Sequence, residues 1–454
     1  MLKKGLLIAL GLILAGALII GGNIFAPIGT AYSAKIMCSC VFVSGRQPAS
    51  VEKQDLSAYW YISNEVDPQQ KTVKSSLAFW ERTAIFREGL GCTLLSGRQP
   101  EELVGGSIQK SNTRSLHYKV LRDYEDSLAL PFALDVAKLS AAIDYAFIED
   151  DNPEAAQKNT RAVVVMYDSI VLAERYGPGF DAQTPLLGWS MTKSVTQTQI
   201  GMLVKDGKLD INAPAPVPEW QSEGDPRRAI TLDQLLRMSS GLDFEEKYFP
   251  PADATTMLFE EPSAAEYAAQ SQLAFAPDSQ WYYSSATSNL LARIVRQSLS
   301  DEETYLNFVH KRLFQPLGMQ SAIMEPDASG TYVGSSFMYA NARDWAKFGL
   351  LYLRDGIWQG KRILPEGWVD YTRTPTPKSR QGCYGAQFWL NAGNEEGQPF
   401  PSLPDDLYYP SGFEGQHVFI IPSRNMIITR LGYTPDRDVF DIETFVGGIL
   451  DAVG

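Results

Sequence analysis

One stretch of the chain sets the terms for everything after it. From Gly5 to Gly22 the residues are apolar or glycine, and no charge follows until Lys35. A helix needs about 20 apolar residues to cross a bilayer, so the length fits a single span. Lys3 and Lys4 precede it, and basic residues stay on the cytoplasmic side. The expectation is an uncleaved membrane anchor over residues 1–24, with the rest of the chain on the periplasmic face of a bacterial inner membrane. A cleaved signal peptide competes with this reading. Its apolar core would be longer than usual, however, and Ala31-Tyr32-Ser33 is a poor and distant cleavage site. No second stretch could span a bilayer, so the remainder must fold in water.

That remainder has the means to do so. With 454 residues, 44% hydrophobic and 11% aromatic, the chain is long enough for two or three domains and too apolar for disorder or a fibrous structure. A net charge of −13 argues against nucleic acid as a partner, because phosphate-binding surfaces concentrate basic charge. Cys38, Cys40, Cys92 and Cys383 would meet an oxidising compartment, where Cys92 can pair with Cys38 or Cys40. Buried free thiols are the other possibility. Cys38-Ser39-Cys40 is too tight for the usual zinc spacing and no histidine cluster accompanies it, so neither metal nor cofactor is expected. Lys35-Ile36-Met37 before Cys38 also speak against lipid attachment there.

Residues 25–130 read as a small membrane-proximal region of β-like and polar character, without an assigned role. It contains an internal echo, Cys40-Val-Phe-Val-Ser-Gly-Arg-Gln-Pro48 and Cys92-Thr-Leu-Leu-Ser-Gly-Arg-Gln-Pro100. Each copy looks like a short strand entering a glycine turn. From residue 131 to 454 the patterning is more regular. Helical spacing marks Asp135–Ile148, Met191–Lys205, Leu232–Met238, Ser288–Ser298, Ala342–Leu353 and Phe440–Val453. Strands are expected at Ala162–Met166, Ile170–Arg175, Tyr384–Leu390, His417–Ile421 and Met426–Leu431. Strands at both ends with a helical middle predict an α/β domain: an antiparallel sheet flanked by helices, carrying a helical insertion.

The sharpest chemical feature is Gly188-Trp189-Ser190-Met191-Thr192-Lys193. A serine and a lysine three apart at a helix start share one face. The serine's own N–H is an unpaired first-turn donor, and a desolvated lysine beside it can serve as a base. The pattern alone is weak, since about one chance copy is expected in a chain this long. Ser107-Ile108-Gln109-Lys110 is such a copy, but polar residues follow it, and it reads as a surface loop. Behind Ser190 come Val195, Ile200, Met202 and Leu203, a helix to be buried. Further on, Tyr283-Ser284-Ser285 precedes a helix, where a tyrosine can relay a proton. Ser411-Gly412-Phe413-Glu414-Gly415 runs into an apolar strand, where glycines admit a substrate to the backbone and a strand N–H can serve an oxyanion.

Taken together and in this order, these motifs resemble the serine β-lactamase-related hydrolases. That superfamily includes penicillin-recognising peptidases, class C β-lactamases, family VIII esterases and 6-aminohexanoate-dimer hydrolases. Leu235-Leu-Arg-Met-Ser-Ser-Gly241, Leu313-Phe-Gln-Pro-Leu-Gly-Met319 and Asp344-Trp-Ala-Lys-Phe-Gly349 are similar too. The likeness is nearest to the aminohexanoate-hydrolase-like branch, whose tyrosine motif also ends in serine. It implies a β-lactamase/transpeptidase-like fold, Ser190 as acylated nucleophile, Lys193 as base and Tyr283 as proton donor to the leaving group. Ser285 would position the tyrosine and substrate, and Ser411, Gly412 and Gly415 would line the substrate edge. Which N–H in 411–416 completes the oxyanion hole stays open.

Asparagine stands at the Ser285 position in class C β-lactamases, and a Lys-Thr-Gly on their edge strand. No lysine occurs beside Ser411-Gly412, which weakens an antibiotic-hydrolase reading. A Ser-His-Asp enzyme is disfavoured by only three histidines (His117, His310, His417) and no G-x-S-x-G elbow; His417 reads as a solvent-facing strand end. The expected function is therefore cleavage of an amide or ester in a small molecule or short peptide. The alternative is a non-hydrolytic module of the same fold that binds peptidoglycan or a protein partner.

Overall fold

The computed structural model describes residues 24–104, 108, 119–120, 130–152 and 155–453. Its central sheet is assembled from both ends of the region after residue 118. The strand order is Trp389–Leu390, Tyr408–Tyr409, Gln416–Ile421, Met426–Gly432, Thr160–Tyr167, Ile170–Tyr176 and Lys119–Val120, with Ser411–Gly412 also paired to Gln416–Ile421. Every pairing is antiparallel except that of Lys119–Val120 with Ile170–Val171.

Both faces of this sheet are covered, which is why its middle strands read as continuous apolar runs. Val164, Met166, Val418 and Ile427 point into one core; Val163, Val165, Phe419 and Ile428 point into the other. The first core lies under the helices Met191–Lys205 and Ala342–Leu353, the second under Val136–Phe147 and Ile442–Asp451. Successive strand residues face opposite ways, so a slip of one position would exchange the two cores. Between Tyr176 and Trp389 no described residue joins this sheet. Helices occupy much of that interval, among them Leu232–Leu236, Asp253–Phe259, Ala264–Ala269 and Ser285–Gln297.

The expected elements are present with modest boundary changes, but Tyr384–Leu390 is a strand only at Trp389–Leu390. Gln387 has φ of 60° there and turns the chain. His417 is buried rather than solvent-facing, between the rings of Tyr409 and Phe419. Burial, and after it Arg430 and Arg437, push its pKa down to about 3.

The amino-terminal region departs most from expectation. Residues 24–42 form one long helix where β-like character was expected, followed by a helix at Pro48–Gln54. Only then comes a four-stranded antiparallel meander, Ser63–Asp67, Thr72–Leu77, Trp80–Arg87 and Gly91–Leu94. The two halves of the sequence echo therefore behave differently. Cys40 ends a helix and Cys92 sits in a strand, whereas each Ser-Gly-Arg-Gln-Pro segment makes a left-handed glycine turn (Gly45 φ 70°, Gly97 φ 82°) into a helix that starts with proline. Proline suits a first helical position because no N–H is needed there.

The Ile24–Phe42 helix is long and apolar enough to cross a membrane, but most of it is buried inside the fold. Ala31, Ala34, Met37 and Cys38 join the same apolar core as the central sheet. Cys38 is disulfide-bonded to Cys92, while Cys40 is a buried free thiol that burial pushes up to about 12. Beside the bridge, buried Lys35 pairs with Glu325, which also accepts hydrogen bonds from the Ser39 hydroxyl (2.9 Å) and the Cys92 N–H (2.6 Å). A buried carboxylate needs these partners to offset its lost hydration. The expected span Gly5–Gly22 lies outside the described residues, as do Ser107 and Lys110 of the second serine-lysine pattern and His117.

Candidate active site

Ser190 caps the Met191–Lys205 helix, with its backbone already near helical values. The chain enters that cap under strain. Gly188 N–H donates to Met338 C=O at 2.8 Å, and a Cβ on Gly188 would stand 2.3 Å from the Trp345 ring. Trp189 follows with φ of 47°, a left-handed conformation that bulky residues adopt only when their surroundings impose it. Its ring is held by Phe337, Phe413 and Tyr32, and its indole N–H donates to Glu414 at 3.3 Å.

All residues of the helix from Met191 to Leu203 are buried, polar ones included. The polar side chains stay there because they are hydrogen-bonded. Thr196 donates to Gly334 C=O at 2.9 Å and Gln197 to Thr372 at 2.7 Å. Lys193, 1% exposed, directs its amine at three oxygens: the Ser190 hydroxyl at 3.2 Å, the Ser285 hydroxyl at 2.9 Å and the Ser335 carbonyl at 3.1 Å. Burial disfavours the ammonium and brings its pKa down to about 8, against a smaller upward pull from Glu246.

The Ser335 carbonyl is delivered by a loop wedged between two helices. A Cβ on Gly334 would lie 2.6 Å from Ala292 and 2.8 Å from the Thr196 hydroxyl, so only glycine lets the loop in this close. Asn289, on the Ser285–Gln297 helix, grips the same loop through the Ser335 hydroxyl at 3.1 Å and N–H at 3.3 Å.

Tyr283 is stacked on Trp389 (centroids 5.4 Å) and edge-on to Tyr384 (5.8 Å). Its hydroxyl is close enough to the Ser190 side chain to feel it electrostatically. Burial, reinforced by Glu246, raises its pKa well above the usual phenol, so it keeps its proton. Ser285 donates from both its N–H and its hydroxyl to the two Glu246 oxygens, each at 2.6 Å. The Tyr248 hydroxyl donates to Glu246 at 2.7 Å. With the Ser285 proton committed to Glu246, the Ser285 oxygen is left as an acceptor for Lys193.

Glu246, Tyr248, Asn289 and Ser335 escaped sequence reasoning. Glu246 and Tyr248 stand in a charged loop, Glu245-Glu246-Lys247-Tyr248, which carries no periodicity or spacing signal.

The glycine segment forms the opposite wall. Ser411–Gly412 pairs with His417–Gln416 as one arm of a tight hairpin. A Cβ on Gly412 would sit 2.1 Å from the Gly188 carbonyl, so this arm presses directly on the approach to Ser190. Val418 N–H donates to Pro410 C=O. Alternation along the pair then turns the N–H groups of Ser411 and Phe413 away from the hairpin partner, toward the open edge. The Phe413 ring packs on Trp189 and Tyr248. Gly415 (φ 81°) turns the hairpin over Arg430, whose guanidinium donates to its carbonyl at 2.8 Å. Burial raises Glu414, between these glycines, to about 8.

A serine, a desolvated lysine, a protonated tyrosine and an unpaired strand edge thus converge on one point. Comparison with known proteins gives this arrangement its setting. The beta-lactamase family model matches residues 148–443. A 6-aminohexanoate-dimer hydrolase of Paenarthrobacter ureafaciens is 26% identical over 316 residues, covering 64% of this chain and 77% of that protein. A 6-aminohexanoate-dimer hydrolase-like protein of Bacillus anthracis shares the fold with a TM-score of 0.56 at 20% identity, covering 78% of this chain and 88% of that one. A D-stereospecific amidohydrolase of Streptomyces shares it at 0.51 and 15% identity, covering 69% and 97%.

Proposed function

The chain belongs to the beta-lactamase family of hydrolases, and on that premise we propose that it cleaves an amide or ester through a Ser190 acyl-enzyme. The observation that carries this is the Lys193 amine, buried and aimed at the Ser190 hydroxyl 3.2 Å away. A lysine with a pKa of about 8 is neutral often enough near neutral pH to take that proton. Ser190 Oγ then attacks the substrate carbonyl carbon, and the new oxyanion is held by the Ser190 N–H and by the Phe413 N–H on the strand edge. Ser411 N–H, which faces the same way, lies two residues further from the hairpin tip. As the C–N or C–O bond breaks, Tyr283 hands its proton to the departing amine or alcohol and recovers one from the Lys193 ammonium. Water repeats the sequence on the acyl-enzyme, releasing the acid and free Ser190.

Ser285 and Glu246 are positioning residues in this scheme. Glu246 fixes Ser285, and Ser285 in turn accepts from the Lys193 amine and helps hold it in place. The substrate class we propose is a small ester, amide or short peptide. No cation stands among residues 411–416 to bind a β-lactam carboxylate, which makes penicillin a poor substrate.

The membrane anchor belongs to the same proposal. Cleavage after Ser33 would remove half of the Ile24–Phe42 helix, including buried Ala26, Ile28 and Ala31. It would also take away Tyr32, stacked on Tyr59, and Ser33, whose hydroxyl donates to Asn64 at 2.7 Å. The buried contacts of this helix support a chain that is not cut within it, and an uncleaved anchor is the reading we propose.

The test is intact-mass spectrometry after exposure to an activated ester, a fluorophosphonate and a penicillin. An adduct present in the parent and Ser107→Ala, and absent in Ser190→Ala, supports the scheme. No adduct with any reagent in folded protein would favour a non-hydrolytic binding module, and an unchanged Ser190→Ala would refute the nucleophile.

A further inference from the structure

Exposed large apolar side chains among the described residues include Ile148, Val136, Phe275 and Tyr282, but the three most exposed belong to one group. Trp60 is 83% exposed, Phe79 75% and Phe249 72%, with Phe25 and Tyr61 also well exposed. All five lie near the beginning of the Ile24–Phe42 helix. Phe25 is in its first turn and touches Phe249 edge-on, with ring centroids 5.4 Å apart. At the next turn, Gly29 faces Ile62 and Tyr59, and Tyr61 and Trp60 adjoin them (centroids 5.8 Å). The strand starting at Ser63 then runs along the helix, away from its beginning, as the Ser33–Asn64 hydrogen bond shows. Ser63 pairs with Ser76, which brings the Leu77–Trp80 turn and Phe79 to the same end.

This end is also the mouth of the catalytic site. Phe249 follows Tyr248, which touches Glu246, Ser285 and the Phe413 ring. It is the end at which the Gly5–Gly22 stretch joins the fold, with one residue between Gly22 and Ile24. Scattered apolar side chains need no explanation, but an aromatic rim around the exit of an apolar span does. Tryptophan, tyrosine and phenylalanine favour the boundary between acyl chains and water.

We propose that this rim rests in the headgroup region of the bilayer, and that the site takes amphiphilic esters or amides whose acyl chain remains in the membrane. The proposal rests on the hydrolase reading above and specifies its substrate. Anchoring by Gly5–Gly22 holds the rim at the surface, so a lipid-borne carbonyl reaches Ser190 with only a short excursion from the bilayer. The acyl transfer itself is the one already described.

The test uses the full chain reconstituted in phosphatidylcholine–phosphatidylglycerol vesicles. Two substrates are compared, p-nitrophenyl palmitate carried in the bilayer and p-nitrophenyl acetate in solution. Trp60→Ser with Phe79→Ser, both at exposed positions remote from Lys193, should slow palmitate turnover at least fivefold and acetate turnover less than twofold. Lipids brominated near the headgroup should quench the parent's fluorescence more than that of Trp60→Phe. Equal loss on both substrates, no loss on either, or quenching that does not depend on Trp60 would overturn the membrane-facing mouth. Ser190→Ala turning over both substrates like the parent, with Trp60-dependent quenching intact, would instead refute the hydrolase reading and leave the rim in place.

Discussion

Adding one methyl group to Gly412 tests the proposed oxyanion wall directly. In Gly412→Ala the new Cβ would stand 2.1 Å from the Gly188 carbonyl oxygen and 3.1 Å from the Gln416 side chain. The first contact is with backbone, and Gly188 is itself trapped against Trp345, so the nucleophile loop cannot give way. The hairpin arm must retreat instead, by about 1 Å, to restore a van der Waals distance. A donor displaced that far no longer meets the oxyanion, and loss of one such donor costs roughly 10²–10³ in kcat, or about 3–4 kcal/mol. Crowding of this kind also lowers stability by about 1–3 kcal/mol. Hydrolysis of p-nitrophenyl butyrate should show kcat falling by those two to three orders of magnitude while fluorophosphonate still labels Ser190. Gly447→Ala is the control: its Cβ would meet only Leu403 at 3.7 Å, inside a helix, and activity should be unchanged. A Gly412→Ala enzyme within threefold of the parent, folded and labelled, would refute the assignment of this strand to the oxyanion hole.

Three further outcomes are expected. With neutral Lys193 as the proposed base and its pKa lowered to about 8, kcat/KM should rise with pH up to about 8 and then level off; a rate that falls over that range would exclude Lys193 as base. Glu246→Gln removes a negative charge that pulls the Lys193 pKa up, so the rising limb should move to lower pH, and a shift to higher pH in the same kcat/KM profile would contradict the electrostatics. The Cys38–Cys92 bridge spans 54 residues and ties the amino-terminal helix to the meander, so Cys38→Ala with Cys92→Ala should cost about 2–5 kcal/mol in chemical denaturation, and a cost near zero would show that the helix docks without it.

The proximity of Ser190 and Lys193 was legible in the sequence for a local reason. Residues three apart at a helix start share a face wherever the helix lies, and the apolar residues behind Ser190 separated it from the copy at Ser107. The paired strands Thr160–Tyr167 and Ile170–Tyr176 were equally local, joined by a two-residue turn. The segment at residues 35–43, Lys-Ile-Met-Cys-Ser-Cys-Val-Phe-Val, was misread because its β-branched and aromatic residues favour strand on intrinsic preference. Its helix is decided by the core it packs into, and such packing overrides weak local preference.

The sequence by itself therefore determined a single apolar amino-terminal stretch, the two cores' strand pattern, and a serine and lysine one helical turn apart with a tyrosine motif and a glycine segment in order. Each depends only on neighbours along the chain. Tertiary structure decided which cysteine pairs with Cys92, which carboxylate orients Ser285, and how closely Gly412 approaches the loop before Ser190. Those contacts join residues at least 39 positions apart, and no local periodicity encodes them. They exist because the central sheet closes strands from both ends of the region around one buried helix, and that closure is what gives Lys193 its dry, three-oxygen setting.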